Sequence, residues 1–134
     1  MKRSEAREWA FKLIFESLFH QDLTSEDILN SALAIEGFEA DKYIVSVFEG
    51  VLSTCDELDS TVSKYAKGWS SERISKVSLS ILRLSLYEMR YVDDVPMSVS
   101  INEAVELAKK YDTDNAPAFI NGILNSIAKA ENIS

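Results

Sequence analysis

Lys2, Arg3 and Arg7 fall within the first two turns of an amphipathic segment, and cations spaced so closely do one kind of chemistry well: they hold phosphate. Lys64, Lys67, Arg73, Lys76, Arg83 and Arg90 form a basic region with them if the fold brings them together. The rest of the chain opposes this. The net charge of −8 is distributed as +1 over residues 1–21, −9 over 22–60, +4 over 61–92 and −4 over 93–134. The acidic block therefore repels phosphate, and the molecule is strongly polarised. The bases either gather on one face or simply solvate helices, and the sequence leaves both readings open.

Residues suited to bond-making chemistry are few. His20 is the sole histidine, near the C-terminal end of the first helical segment, where the helix dipole favours it and no second histidine shares a metal. Cys55 cannot form an internal disulfide, and it lies in an apolar series with Val51 and Leu58, which reads as a buried, inert thiol. Glu103 and Glu106 are one turn apart, but Glu103 is simply explained as the partner of Ser100 in a Ser-x-x-Glu capping box. No Gly-rich phosphate loop and no nucleophile–base pairing is legible. The expectation is a protein that is not an enzyme and needs neither metal nor cofactor. Arg83 and Glu88 differ, because they interrupt an otherwise apolar helix: a charge buried there needs a partner, which predicts an internal ion pair or clamp, with RNA contact as the alternative. Asn121 and Gly122 read as packing residues, and Trp69 as a core lid or a stacking aromatic.

These residues must be positioned by helices, since the apolar residues recur at a helical period and only four glycines and two prolines interrupt them. The first helix is expected over about Ser4–His20. A second starts after Thr24 or Ser25 and ends near Gly37. A long third runs from about Asp41 to Tyr65, with Gly50 marking a close helix approach. One helical turn fits within 69–71, and a mostly apolar central helix covers about Ser75–Tyr91. After Pro96, the Ser100 capping box opens another helix. Asn115 caps the last, with Pro117 in its first turn. The reading is one all-α domain over 1–134, about seven helices in two small bundles, with halves at 1–66 and 67–134 that share the central or the long third helix. No apolar run reaches the roughly 18 residues of a membrane span and no signal-peptide core is present, so a cytoplasmic protein is expected.

The wording Ile-Asn-Glu-Ala-Val-Glu-Leu-Ala-Lys at 101–109, followed by Phe-Ile-Asn-Gly at 119–122, resembles the NusB family of bacterial transcription antitermination factors. The resemblance extends to Ile-Leu-Arg-Leu-Ser-Leu-Tyr-Glu at 81–88, to Trp69 and Arg73, and to Ala-Arg-Glu-x-Ala at 6–10. It implies an RNA-binding adaptor that pairs with the ribosomal protein NusE, binds single-stranded boxA RNA of ribosomal RNA operons and joins the RNA polymerase antitermination complex. It assigns RNA contact to Lys2, Arg3, Arg7, Asn115 and Phe119, and NusE contact to Glu72, Arg73 and Lys76. A homodimer is a further possible partner state. Two other readings stand beside it: a NusB-like RNA-binding domain of a ribosomal RNA cytosine methyltransferase, and a purely protein-binding adaptor whose acidic residues 22–60 meet a basic partner. The chain departs from the family pattern at Ser4 and Glu5, which interrupt an arginine run, and at Ala118, where many members carry lysine.

Overall fold

The central helix α5 (Lys76–Tyr91) organises the computed structural model, which describes residues 1–35, 38, 41–66 and 74–131. Leu79, Ile81, Leu82, Leu84, Leu86 and Met89 are all buried, so α5 is apolar around most of its circumference and must be covered on several sides. Five helices cover it: α1 (Arg3–Ser17) and α3 (Lys42–Ser53) on one side, and α4 (Cys55–Tyr65), α6 (Met97–Tyr111) and α7 (Ala116–Glu131) on the other. The short α2 (Ser25–Ala32) packs on α1 and α3. Among the described residues there are seven α-helices and no strand. The chain passes from the first helical group to the second at Thr54.

That crossing corrects the expectation of one long third helix. Ser53 and Thr54 both donate hydroxyl hydrogen bonds to the Gly50 carbonyl, at 3.0 and 2.7 Å, and Thr54 takes a non-helical conformation (φ −116°, ψ 17°). Hydroxyls that compete for a helical carbonyl bend or break the helix, and the Ser–Thr pair is the local cause here. Gly50 itself behaves as expected. A Cβ at this position would collide with the Tyr87 ring and hydroxyl, so glycine lets α3 and α5 approach closely.

Two other local readings change. The helix expected to open at Ser100 begins at Met97, with Pro96 in the N-cap position. Ser100 therefore lies inside α6, buried, with its hydroxyl turned toward α5. The apolar periodicity was right; the capping box was a coincidence of spacing. Gly122 is not a packing residue either, since a Cβ there would meet nothing within 4 Å, and Asn121 is exposed and accepts a hydrogen bond from Asn125. Thr24 caps α2 as read, in a reciprocal box with Asp27, and the expected helix starts near Asp41 and Ser75 prove to be capped too: Asp41 accepts from the Tyr43 amide at 2.8 Å, and Ser75 caps α5 through Ser78. Gly37, and the turn expected within 69–71, lie outside the described residues.

Gly50→Ala should cost about 1–3 kcal/mol of stability, because the added methyl overpacks a fixed helix crossing. Urea denaturation checks this, and a loss below about 0.5 kcal/mol would show that the Tyr87 ring moves aside freely.

Candidate nucleic-acid interface

Glu88, in the last turns of α5, is 0% exposed and accepts three hydrogen bonds from three other helices. Arg7 Nε on α1 donates to Oε2 at 2.9 Å, the Tyr43 hydroxyl on α3 donates to the same oxygen at 2.5 Å, and the Ser100 hydroxyl on α6 donates to Oε1 at 2.8 Å. Burial alone would lower the Arg7 pKa, but the Glu88 carboxylate outweighs it and holds the guanidinium above its ordinary range. Burial, then Glu88, pushes Tyr43 far above the usual phenol range, so its hydroxyl stays protonated and donates. Arg7 also pairs with Glu103 at 3.3 Å, and Ser4 donates to that carboxylate at 2.9 Å.

Arg7 was expected on the RNA. With 4% of its side chain exposed and its charge shared by two carboxylates, it is instead the internal bracket between α1, α5 and α6. Arg83 and Arg90 leave the proposed basic region for the same reason. Arg83 makes a bidentate pair with Asp59 on α4, at 2.8 and 2.6 Å, and Arg90 reaches Glu131 on α7 together with Glu57 and Thr61 on α4. The helix clamp expected for Arg83 and Glu88 exists, though the two do not pair with each other. Sequence spacing shows that a buried charge needs a partner, but not which distant helix supplies it.

The surface cations are those left over. Lys2 and Arg3 are exposed at the start of α1; the Arg3 guanidinium lies 4.4 Å from the centroid of the Tyr43 ring. Lys76 is exposed at the start of α5, with its Nζ 5.6 Å from the ring of Phe19, which is 54% exposed. Asn115, exposed just before α7, and half-buried Phe119 border a cleft of about 320 Å³ with Ser75, Ser78 and Asp112. Asp112 sits against the N-terminus of α5, accepting from both serine hydroxyls, so this cleft already holds a negative charge. Lys2 and Arg3 are not gathered beside Asn115: Ser4 touches Glu103, and about 12 Å of α6 separates Glu103 from its last residue, Tyr111. A bound strand would have to run along the α1–α6 seam. Exposed Lys109 and Lys110 lie on that path, paired with Glu106 and Glu8, and their adjacent positions on the polar face of the helix are legible in the sequence. Glu72, Arg73 and Trp69 lie outside the described residues.

The reactive residues are quiet. His20 lies past the end of α1 and shares a 2.8 Å contact with Glu16, while burial pushes the half-buried Cys55 thiol above its ordinary pKa against the nearby Arg83. Among the described residues no cluster could hold a metal, and no helix is long and apolar enough to cross a membrane.

The NusB family model matches residues 4–129. The chain belongs to the NusB family. It is 45% identical to the transcription antitermination protein NusB of Acetivibrio thermocellus, covering 100% of this chain and 93% of that one, and 43% identical to that of Natranaerobius thermophilus over 98% of each. It superposes on Thermotoga maritima NusB with a TM-score of 0.85 at 35% identity, covering 96% of this chain and 92% of that one. A chain from a crystal structure of antitermination factors NusB and NusE in complex with double-stranded RNA shares the fold, with a TM-score of 0.83 at 23% identity, covering 97% and 99%.

Two predictions follow from this NusB-family geometry. Glu88→Ala, which leaves buried Arg7 with Glu103 alone and orphans two hydroxyls, should cost about 3–5 kcal/mol in urea denaturation; a loss below about 1 kcal/mol would mean that water and Glu103 replace the carboxylate easily. Glu8 on the α1–α6 seam contributes to the acid response. Burial alone would raise its pKa, but Lys110 at 2.5 Å and the Tyr111 hydroxyl lower it below the ordinary value of about 4.3. A carboxylate depressed on folding contributes stability that is present above its unfolded pKa and lost as pH falls through its folded pKa. Thermal melts of Glu8→Gln should therefore fall less steeply below about pH 4.3 than those of the unaltered chain; parallel curves would remove Glu8 from the acid response.

Proposed function

We propose that this chain acts with NusE to bind single-stranded boxA RNA of ribosomal RNA operons, and that the complex joins RNA polymerase in the cytoplasm to resist termination. The observation that carries this reading is the placement of exposed Lys2 and Arg3 at the start of α1, with Lys109 and Lys110 farther along the α1–α6 seam and Asn115 and Phe119 at the cleft by the start of α5. Phosphates are held by the cations, and splayed bases by an amide and an aromatic face, which is how single-stranded RNA is commonly gripped. Family membership and the antitermination name of relatives at 43–45% identity support it.

NusE is the partner to test, because a like-folded NusB was solved with it; that complex is a fact about that chain. Lys76 beside exposed Phe19 offers a charged and aromatic docking edge; Glu72 and Arg73, outside the described residues, are assigned to NusE by the family resemblance alone. The cation set is thin: Arg7, Arg83 and Arg90 are occupied internally, so the chain alone should hold RNA weakly. The protein-binding adaptor keeps one observation in its favour, the exposed Leu23, Leu33 and Ile35 near the acids of α2.

Filter binding with a boxA oligoribonucleotide separates the two. NusE should raise the affinity at least about tenfold, and raising salt from 50 to 200 mM should weaken the complex steeply. Equal affinity with and without NusE would remove NusE from the RNA-binding step, and no RNA binding in either case would leave the adaptor reading.

A further inference from the structure

We propose that Asp94 competes with RNA phosphate for Arg3, so that the chain carries its own brake on RNA affinity; this rests on the RNA-binding reading above. Arg3 does not project freely. Its guanidinium is stacked over Tyr43, and the Tyr43 hydroxyl is tied to buried Glu88 at 2.5 Å, so the ring is a fixed platform that limits where the cation can go. In that position one guanidinium nitrogen lies 3.8 Å from Asp94 Oδ2, in the connection between α5 and α6. Among the described residues Arg3 is the only charged partner of Asp94. The neighbouring carboxylate of Asp41 is engaged differently, since it caps α3 through the Tyr43 amide.

The pair stands beside a cleft of about 600 Å³ that is also lined by Lys42 and Ser46. A phosphate that displaces Asp94 therefore meets Arg3 already oriented by Tyr43, exposed Lys42 close by, and Lys2 next in the chain. The exchange is possible because the pair is weak. The side chains of Arg3 and Asp94 are 43% and 74% exposed, and a solvated pair of this kind holds with only a small advantage that salt removes. Asp94 thus subtracts from RNA affinity without blocking it.

The test compares Asp94→Asn, Asp93→Asn, Arg3→Ala and the Arg3→Ala/Asp94→Asn double variant for binding of a boxA oligoribonucleotide with NusE present. Asp93→Asn makes the same change in net charge one residue away. Asp94→Asn should bind roughly two- to fivefold more tightly than the unaltered chain, Asp93→Asn should gain clearly less, and the Asp94 gain should vanish when Arg3 is alanine. An equal gain from Asp93→Asn, or a gain that survives Arg3→Ala, reduces the effect to long-range repulsion and overturns the proposal. A second readout needs no RNA: phenylglyoxal should label Arg3 faster in Asp94→Asn than in the unaltered chain, as followed by mass spectrometry. Unchanged labelling denies the pair and overturns the proposal directly. If labelling rises but no form binds RNA, the pair stands, the RNA-binding reading falls and the brake falls with it.

Discussion

A single buried carboxylate, that of Glu88, sets the arrangement of this molecule. Taken out of water alone it would cost several kcal/mol, and it is retained because α1, α3 and α6 each deliver a donor to it. Apolar faces attract helices to α5 but tolerate sliding and rotation. Three hydrogen bonds to two oxygens do not, because a displacement of any one helix by a turn leaves a charge or hydroxyl unsatisfied in the core. The crossing of α5 and α6 is tight at the same level, where the Ser85 hydroxyl donates to the Ser100 carbonyl at 3.2 Å. Glu88 therefore determines where α1 begins on the surface, and with it where Lys2 and Arg3 stand.

The same junction explains an apparent conflict between an acidic chain and an RNA-binding role. Arginine suits buried bidentate pairing, and in Arg7, Arg83 and Arg90 this chain uses it to join helices. In the proposed function, phosphate contact is left to exposed lysines and to Arg3. The proposed function therefore predicts modest RNA affinity for the chain alone, strong dependence on salt, and a reason to work beside a partner.

Much of the fold was legible because helix periodicity is a local signal. The cap at Thr24, the starts of α3 and α5, the burial of α5 and the close approach at Gly50 all follow from residues near one another in sequence. What failed depended on distant partners. Ser100 and Glu103 have the spacing of a capping box, yet each faces a partner elsewhere: Ser100 meets Glu88, and Glu103 meets Ser4 and Arg7. The break at Thr54 had a local cause that the continuous apolar stripe concealed. Arg7 shows the limit most clearly, since a cation in an N-terminal helix reads the same whether it faces solvent or a carboxylate 81 residues away. Family resemblance names an interface region to test, and burial decides which of its arginines can reach a ligand.

Side-chain NMR of the arginine Nε–Hε groups tests this division most directly. In the free protein the Arg7 signal should persist against exchange with water while that of Arg3 exchanges rapidly, and on titration with boxA RNA in the presence of NusE the Arg3 signal should shift while Arg7 stays in place. An Arg7 signal that exchanges as fast as Arg3, or that shifts with RNA while Arg3 does not, would contradict the account.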